Sequence, residues 1–316
     1  MKAFSRTIWA AALLLAALPA QAQYPSRNIN LLVGFPPGGN IDIVARQAQP
    51  FLEKYLGGKI AVINKPGAAG ALANSELASA QPDGYTLGVL SAPGVFTILF
   101  GGNLTYTADS FDYVGSFSDE PYSLFVHPES KYQTLKGMVD HLKANPGSVT
   151  ISGSGSGGAV HLGVLAFARA AGVKINYIPV QGVPQMLASV QGRHTDGGLS
   201  TVSTTGPLMQ EGTVKVLGLM AEERYSKMPT VPTMKENGYN AIWGSLRGIA
   251  GPKGLPADVK ARLADAIQKT HKDPEFLAAA EKSGMILRNL NSEQYRKESV
   301  QMYEDLAAMW KEAPWR

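Results

Sequence analysis

Residues 149–162 read Val-Thr-Ile-Ser-Gly-Ser-Gly-Ser-Gly-Gly-Ala-Val-His-Leu, and Gly153, Gly155 and Gly158 spell G-x-G-x-x-G between a strand-forming run and a helix-forming one. That is the pattern of a dinucleotide-binding turn. Such a turn also needs an acidic residue about 20 positions on, ending the next strand, to hold a ribose. Here that strand is Lys174–Pro179, and it contains neither Asp nor Glu. The dinucleotide reading fails there, but the physics of the loop survives. Free N–H groups at a helix N-terminus bind anions, and the helix dipole adds about 0.3–1 kcal/mol, or up to ~2 if partly buried. Ser154 and Ser156 supply hydroxyl donors, and Gly157 and Gly158 let a ligand approach the backbone. His161, one turn into the helix, could face the site or serve as a structural histidine.

A second loop repeats the device. Phe35-Pro-Pro-Gly-Gly-Asn40 lies between a strand and a helix, with Gly38 and Gly39 at the turn and Asn40 read as the N-cap. Asp42, in the first helical turn, could favour the dipole or accept a hydrogen bond from a ligand hydroxyl or water. The alternative is an ordinary tight turn. Two such termini could hold one small anion between them. Catalysis has no comparable support. There is no G-x-S-x-G elbow and no H-E-x-x-H pair, and the histidines at 127, 141, 161, 194 and 271 are scattered. We expect no catalytic residue, no metal and no cofactor.

The elements around these loops alternate. Strands are expected at Ile29–Gly34, Lys59–Asn64 and Tyr85–Leu90. Helices carry Val44, Ala48, Phe51 and Tyr55, with a kink at Pro50, and then Leu72–Ala80. A second series follows, with strands at Ser123–His127, Ser148–Ser152, Lys174–Pro179, Thr195–Ser200 and Val214–Met220. Its helices are expected at Leu135–Ala144, His161–Ala171 and Pro184–Gln191. From Pro256 the pattern is helical. Asn291 with Gln294 makes a capping box, and Tyr295, Met302, Leu306 and Trp310 form a core stripe. The series predicts an α/β fold with parallel sheets in two units. Ser118–Pro121 is the first crossing between them and Ile242–Gly248 the return, so that the C-terminal helices pack on the first unit.

Lys2, Arg6, the apolar run Ile8–Leu18 and Ala20-Gln21-Ala22 make a signal peptide over residues 1–22, with cleavage expected after Ala22. The run is shorter than the roughly 20 apolar residues a membrane span needs. Losing two basic and no acidic residues takes the net charge from +4 to +2. That balance lacks the footprint of a nucleic-acid binder and mildly favours small anions. The chain has no cysteine, which excludes disulfides and thiol chemistry.

Tyr24-Pro-Ser, Phe35-Pro-Pro-Gly-Gly-Asn-Ile-Asp-Ile-Val-Ala-Arg46, Asn64-Lys-Pro-Gly-Ala68 and Pro82-Asp-Gly-Tyr-Thr86 occur in that order. They are followed by Gly153–Leu162, Pro229-Thr-Val-Pro-Thr233 and Gly251-Pro-Lys-Gly-Leu-Pro256. Together they resemble the Bug/TctC family, periplasmic solute-binding proteins of tripartite tricarboxylate transporters. The resemblance implies a two-lobed type II periplasmic-binding-protein fold with a ligand cleft between the lobes. Lobe 1 would be residues 23–121 and 248–316, and lobe 2 residues 122–247.

It further implies a monomer that captures a small organic anion and delivers it to membrane permease subunits, with no nucleic acid involved. A sensing subunit of the same fold, or an exported hydrolase, is the alternative. Ligand contacts carried over are Gly38, Gly39, Asn40 and Asp42 in one lobe, and Ser154, Ser156, Gly157, Gly158 and His161 in the other. Ser91, Ala92 and Ser203 follow strands where further contacts are expected. Two departures stand out: Val180-Gln181 replaces an aromatic-Lys pair, and Ser245-Leu-Arg-Gly248 replaces Ser-Trp-Phe/Tyr-Gly. Arg247 could clamp a carboxylate with two parallel bonds, or be a structural ion pair. The Ser-Leu-Arg-Gly-Ile form resembles the tricarboxylate-binding branch more than the branch for amino acids or aromatic acids, which implies a di- or tricarboxylate such as citrate.

Overall fold

The computed structural model describes residues 24–100, 104, 106–312 and 314–315. The expected signal peptide lies outside them. In chain order, β1 (Ile29–Val33) leads to α1 (Asn40–Leu56), β2 (Ile60–Asn64), α2 (Ala71–Ser79) and β3 (Thr86–Ala92). The short α3 (Gly94–Thr97) precedes β4 (Phe111–Val126), α4 (Leu135–Ala144), β5 (Thr150–Ser154) and α5 (Ala159–Ala171). Then come β6 (Asn176–Val180), α6 (Val183–Gln191), β7 (Gly197–Thr201), α7 (Val202–Gln210), β8 (Lys215–Leu219) and β9 (Gly244–Pro252). Three helices finish the chain: α8 (Ala257–Thr270), α9 (Pro274–Ser283) and α10 (Ser292–Glu312).

Strand order is β2-β1-β3-β9-β4-β7-β5-β6, with β8 also on β4. As the alternating pattern demands, β1 runs parallel to β2 and β3, and β5 runs parallel to β6 and β7. Two departures come from the crossings. β9 is an antiparallel strand inserted between β3 and β4 rather than a connector. β4 is 16 residues long. It pairs with β9 as far as Pro121, and with β7 and β8 from Tyr122 onward. The chain therefore passes between lobes inside one continuous strand, with Tyr122 donating its N–H to the Trp243 carbonyl at 3.0 Å.

Each face of each lobe's sheet carries its own core. In the first lobe α1, α8 and α9 cover one face, and α2, α3 and α10 cover the other. In the second, α4 and α5 oppose α6 and α7. α1 shows why. Ile41, Val44, Ala45, Ala48, Leu52 and Leu56 recur at helical spacing and are buried. Each fully buried Val or Leu there contributes about 1.5–3 kcal/mol. Phe51 and Tyr55, expected on that stripe, pack at its margin. The helix is continuous through Pro50 and stops at Gly57, whose φ of 75° caps it. α10 opens with the expected capping box, Asn291 and Gln294 exchanging bonds of 2.9 and 3.1 Å. It buries Tyr295 and Leu306.

Candidate functional site

β1 and β5 are the strands whose carboxyl ends feed the two glycine loops, and the loops share one geometry. Gly38 and Gly157 hold φ of 77° and 72°. Each is followed by a glycine in extended backbone, Gly39 or Gly158, that caps α1 or α5 with no side-chain cap bond. Asn40 is therefore the first helical residue, not the N-cap read from sequence. Three positions past each cap, a side chain turns back on the loop. Asp42 Oδ2 accepts the Gly38 N–H at 2.9 Å, and His161 Nδ1 accepts the Gly157 N–H at 3.0 Å. Among the described residues, the N–H groups of Asn40, Ile41, Ala159 and Val160 have no protein acceptor. Both helix ends thus present spare donors.

These donors meet in one place. Asn40, Ile41, Ala159 and Val160 line a narrow cavity of about 50 Å³ between the lobes. At roughly 10–15 Å³ per water centre, it has room for about three to five waters' worth of ligand. The lobes touch around it. Asn40 Nδ2 lies 3.3 Å from Thr201 Oγ1. Within the second lobe, Trp243 Nε1 donates to the Ala159 carbonyl at 2.8 Å and steadies the start of α5. A Cβ added at Gly155 would fall 2.5 Å from that of Ala69. Ala68 and Ala69 sit at φ of 46° and 54°, a left-handed conformation that costs an L-residue about 1–2 kcal/mol. Strain of this kind clusters at ligand clamps. Beyond Ala69 a wider groove of about 390 Å³ opens past Ser156 and Gln181.

The sequence-derived residues divide into four groups. Gly39, Asn40, Ser91, Ser154 and Gly158 line the cavity. Gly38, Asp42, Gly157 and His161 shape the loops. Asp42 is 2% exposed, and its carboxylate is occupied by Gly38, Arg46 and Asn64. Burial alone would raise its pKa, but the bonds from Arg46, Gly38 and Asn64 outweigh that and hold it below the ordinary carboxylate value. His161 also stacks on Tyr177, with ring centroids 4.4 Å apart. Ser156 reaches the outer groove only.

The remaining three lie off the cavity. Ala92 is buried in the β3–β9 ladder opposite Leu246. Ser203 donates to Glu120. Arg247 makes the structural ion pair that the sequence reading held open beside the ligand clamp. It is 0% exposed, and its guanidinium Nη1 is 3.0 Å from Glu120 Oε1. The side chain is sealed in the β3–β9–β4 ladder as an ion pair with Glu120, and none of its guanidinium nitrogens has a hydrogen-bond acceptor among the described residues.

Several cavity residues were missed. Ser245 lines the cavity and shares a 2.7 Å hydroxyl contact with Ser91. Tyr122 also lines it. Burial pushes the Tyr122 hydroxyl above its ordinary pKa, with nearby Arg247 partly offsetting this, so the ring stays uncharged. Ser200 lies in the wall, 2% exposed. Its signal was available: it ends a strand of the second unit, where α/β proteins place ligand contacts.

Comparison with known proteins fits this geometry. The family described as the tripartite tricarboxylate transporter family receptor, TctC, matches residues 44–311. A Cupriavidus necator relative, the UPF0065 protein in the gbd 5' region, is 32% identical over 291 residues, covering 90% of this chain and 88% of its own. The periplasmic binding protein BugD superposes with a TM-score of 0.87 at 28% identity, over 93% of this chain and 99% of that one. MatC from Rhodopseudomonas palustris with bound malate gives 0.84 at 24% identity, over 90% and 98%. The two-lobed α/β architecture is that of periplasmic binding proteins.

Proposed function

This chain belongs to the tripartite tricarboxylate transporter receptor family, and on that premise we propose that it captures a small organic carboxylate in the periplasm and presents it to a membrane permease of that transporter class. The carrying observation is that glycine-capped N-termini of α1 and α5, from opposite lobes, aim spare N–H groups into one cavity. A carboxylate placed there bridges both, and only the closed arrangement makes both sets of contacts. Binding therefore favours closure, and the closed shape is what the permease reads.

We read the protein as a monomeric binder rather than a catalyst, exported by a signal peptide cleaved after Ala22. For the lobes we propose residues 23–121 with 248–316 and residues 122–247, moving Gly244–Arg247 to the first. Those four residues already belong to its ladder with β4. The preference for a di- or tricarboxylate such as citrate rests on the resemblance of the Ser-Leu-Arg-Gly-Ile form to the tricarboxylate-binding branch, and Arg247 itself pairs with Glu120.

The test is a thermal-shift screen against organic acids, with calorimetry on hits. A ligand at 100 times its Kd stabilises by about 2.7 kcal/mol, which is easily seen. A carboxylate that raises Tm without being consumed supports capture. If no carboxylate shifts the melting, or if one is turned over, the reading fails.

A further inference from the structure

The cleft has a charge inventory that limits its ligand. Among the described residues, no Lys, Arg, His, Asp or Glu lines the inner cavity or the outer groove. Positive potential comes from the two helix N-termini, each equivalent to about half an elementary charge. Together they match one carboxylate. Arg247, paired across the ladder with cavity-lining Ser91, is fully buried and already faces Glu120. A second carboxylate drawn into the cavity would give up its water without a counter-charge, which is costly.

The wall provides for a different group. Ser200 is 2% exposed, lines the cavity, and its hydroxyl has no hydrogen-bond partner among the described residues. Leaving a buried hydroxyl unpaired costs about 1–3 kcal/mol. At a ligand cavity, that cost is offset by a partner the ligand carries. A serine hydroxyl both donates and accepts, which suits an amide or a hydroxyl.

We propose that the cleft selects a singly charged ligand, with one carboxylate between the α1 and α5 N-termini and one uncharged polar group, amide or hydroxyl, bonded to Ser200. This rests on the carboxylate-capture reading above. Calorimetry on the purified protein with matched pairs tests it: succinate against its monoamide succinamate, and glutarate against glutaramate. The monoamide is expected to bind at least about tenfold more tightly than its diacid. Ser200→Ala is expected to weaken the monoamide about five- to tenfold, with diacid affinity within about twofold of the original. A diacid that binds as tightly as its monoamide, or more tightly, overturns the single-charge proposal while leaving carboxylate capture intact. Unchanged monoamide affinity in Ser200→Ala overturns the role of Ser200. Binding of no acid in either form, here or in the wider screen, sinks the capture reading and this proposal together.

Discussion

Asp42 and His161 stand at equivalent places in opposite lobes. Each sits three positions past a glycine cap and accepts the N–H of the glycine four residues before it, at 2.9 and 3.0 Å. One is a carboxylate and the other an imidazole, but both consume the one loop N–H that would otherwise compete for the ligand. They also fix the direction of the helix-end donors. Removing the charged acceptor in Asp42→Ala should cost about 1.5–3 kcal/mol of stability, and His161→Ala about 1 kcal/mol. Both should weaken ligand binding although neither side chain lines the cavity. Denaturant melts and calorimetry check this; wild-type affinity in both variants would sink the loop-fixing role.

Asn40 is the residue that reaches across, with its amide 3.3 Å from Thr201 Oγ1. A neutral bond of that length contributes about 0.5–1.5 kcal/mol. Asn40→Ala should therefore raise Kd up to about tenfold. Ligand-free melting should hold within about 0.5 kcal/mol, because the contact joins lobes rather than building either core. A large loss of intrinsic stability would mean Asn40 supports the first lobe instead.

Gly155 sets how closely the lobes can approach. A methyl there would lie 2.5 Å from the Ala69 Cβ, and its φ is 65°. Gly155→Ala is expected to hold the cleft open and weaken binding by more than about tenfold, since ligand affinity is borrowed from closure. Small-angle scattering with and without ligand reads this directly: the variant should lose the ligand-induced contraction. Normal contraction would show that the two loops separate easily.

The Glu120–Arg247 pair makes the reverse prediction from a binding residue. Both side chains are at most 1% exposed. Arg247→Met leaves a buried carboxylate unpaired and should cost about 3–5 kcal/mol, whereas the double change Glu120→Gln with Arg247→Met should recover most of it. Urea unfolding of the four proteins forms the cycle. A fully stable Arg247→Met that simply fails to bind ligand would restore Arg247 to the site.

Asp273 predicts an acid limit. It caps α9 and takes Lys54 Nζ and Tyr55 Oη, each at 2.7 Å, from the end of α1. The hydrogen bonds from Lys54 and Tyr55 hold its pKa down to about 2 from an ordinary 3.8. Its folded value is depressed, so its stabilisation is complete above about pH 4 and is lost as pH falls through about 2. Asp273→Asn should flatten that acid limb of the stability profile; an unchanged limb would assign it to other carboxylates.

Much of the fold was readable because it is local. The apolar spacing of α1, the Asn291–Gln294 cap and the glycine loops each depend on residues within a few positions of one another. The parallel pairing of β1 with β2 and β3 follows from the strand-helix alternation. β9 was not readable as a strand. Gly-Ser-Leu-Arg-Gly-Ile-Ala-Gly-Pro is buried on both faces along nearly its whole length. It lacks the alternation that marks a half-exposed strand. Gly248 is there because a Cβ would fall 2.4 Å from the Gly115 carbonyl, a neighbour far away in sequence.

The site divides the same way. Sequence alone determined the two helix N-termini, since a glycine turn after a strand fixes which backbone donors are left over. Tertiary structure decided everything that needs a distant partner: Arg247 turned to Glu120, Asp42 to Asn64 and Asn40 to Thr201, while Ser200 was left unpaired in the wall. A side chain's chemistry is written at its position. What that chemistry acts on depends on which strands the long-range ladder brings beside it.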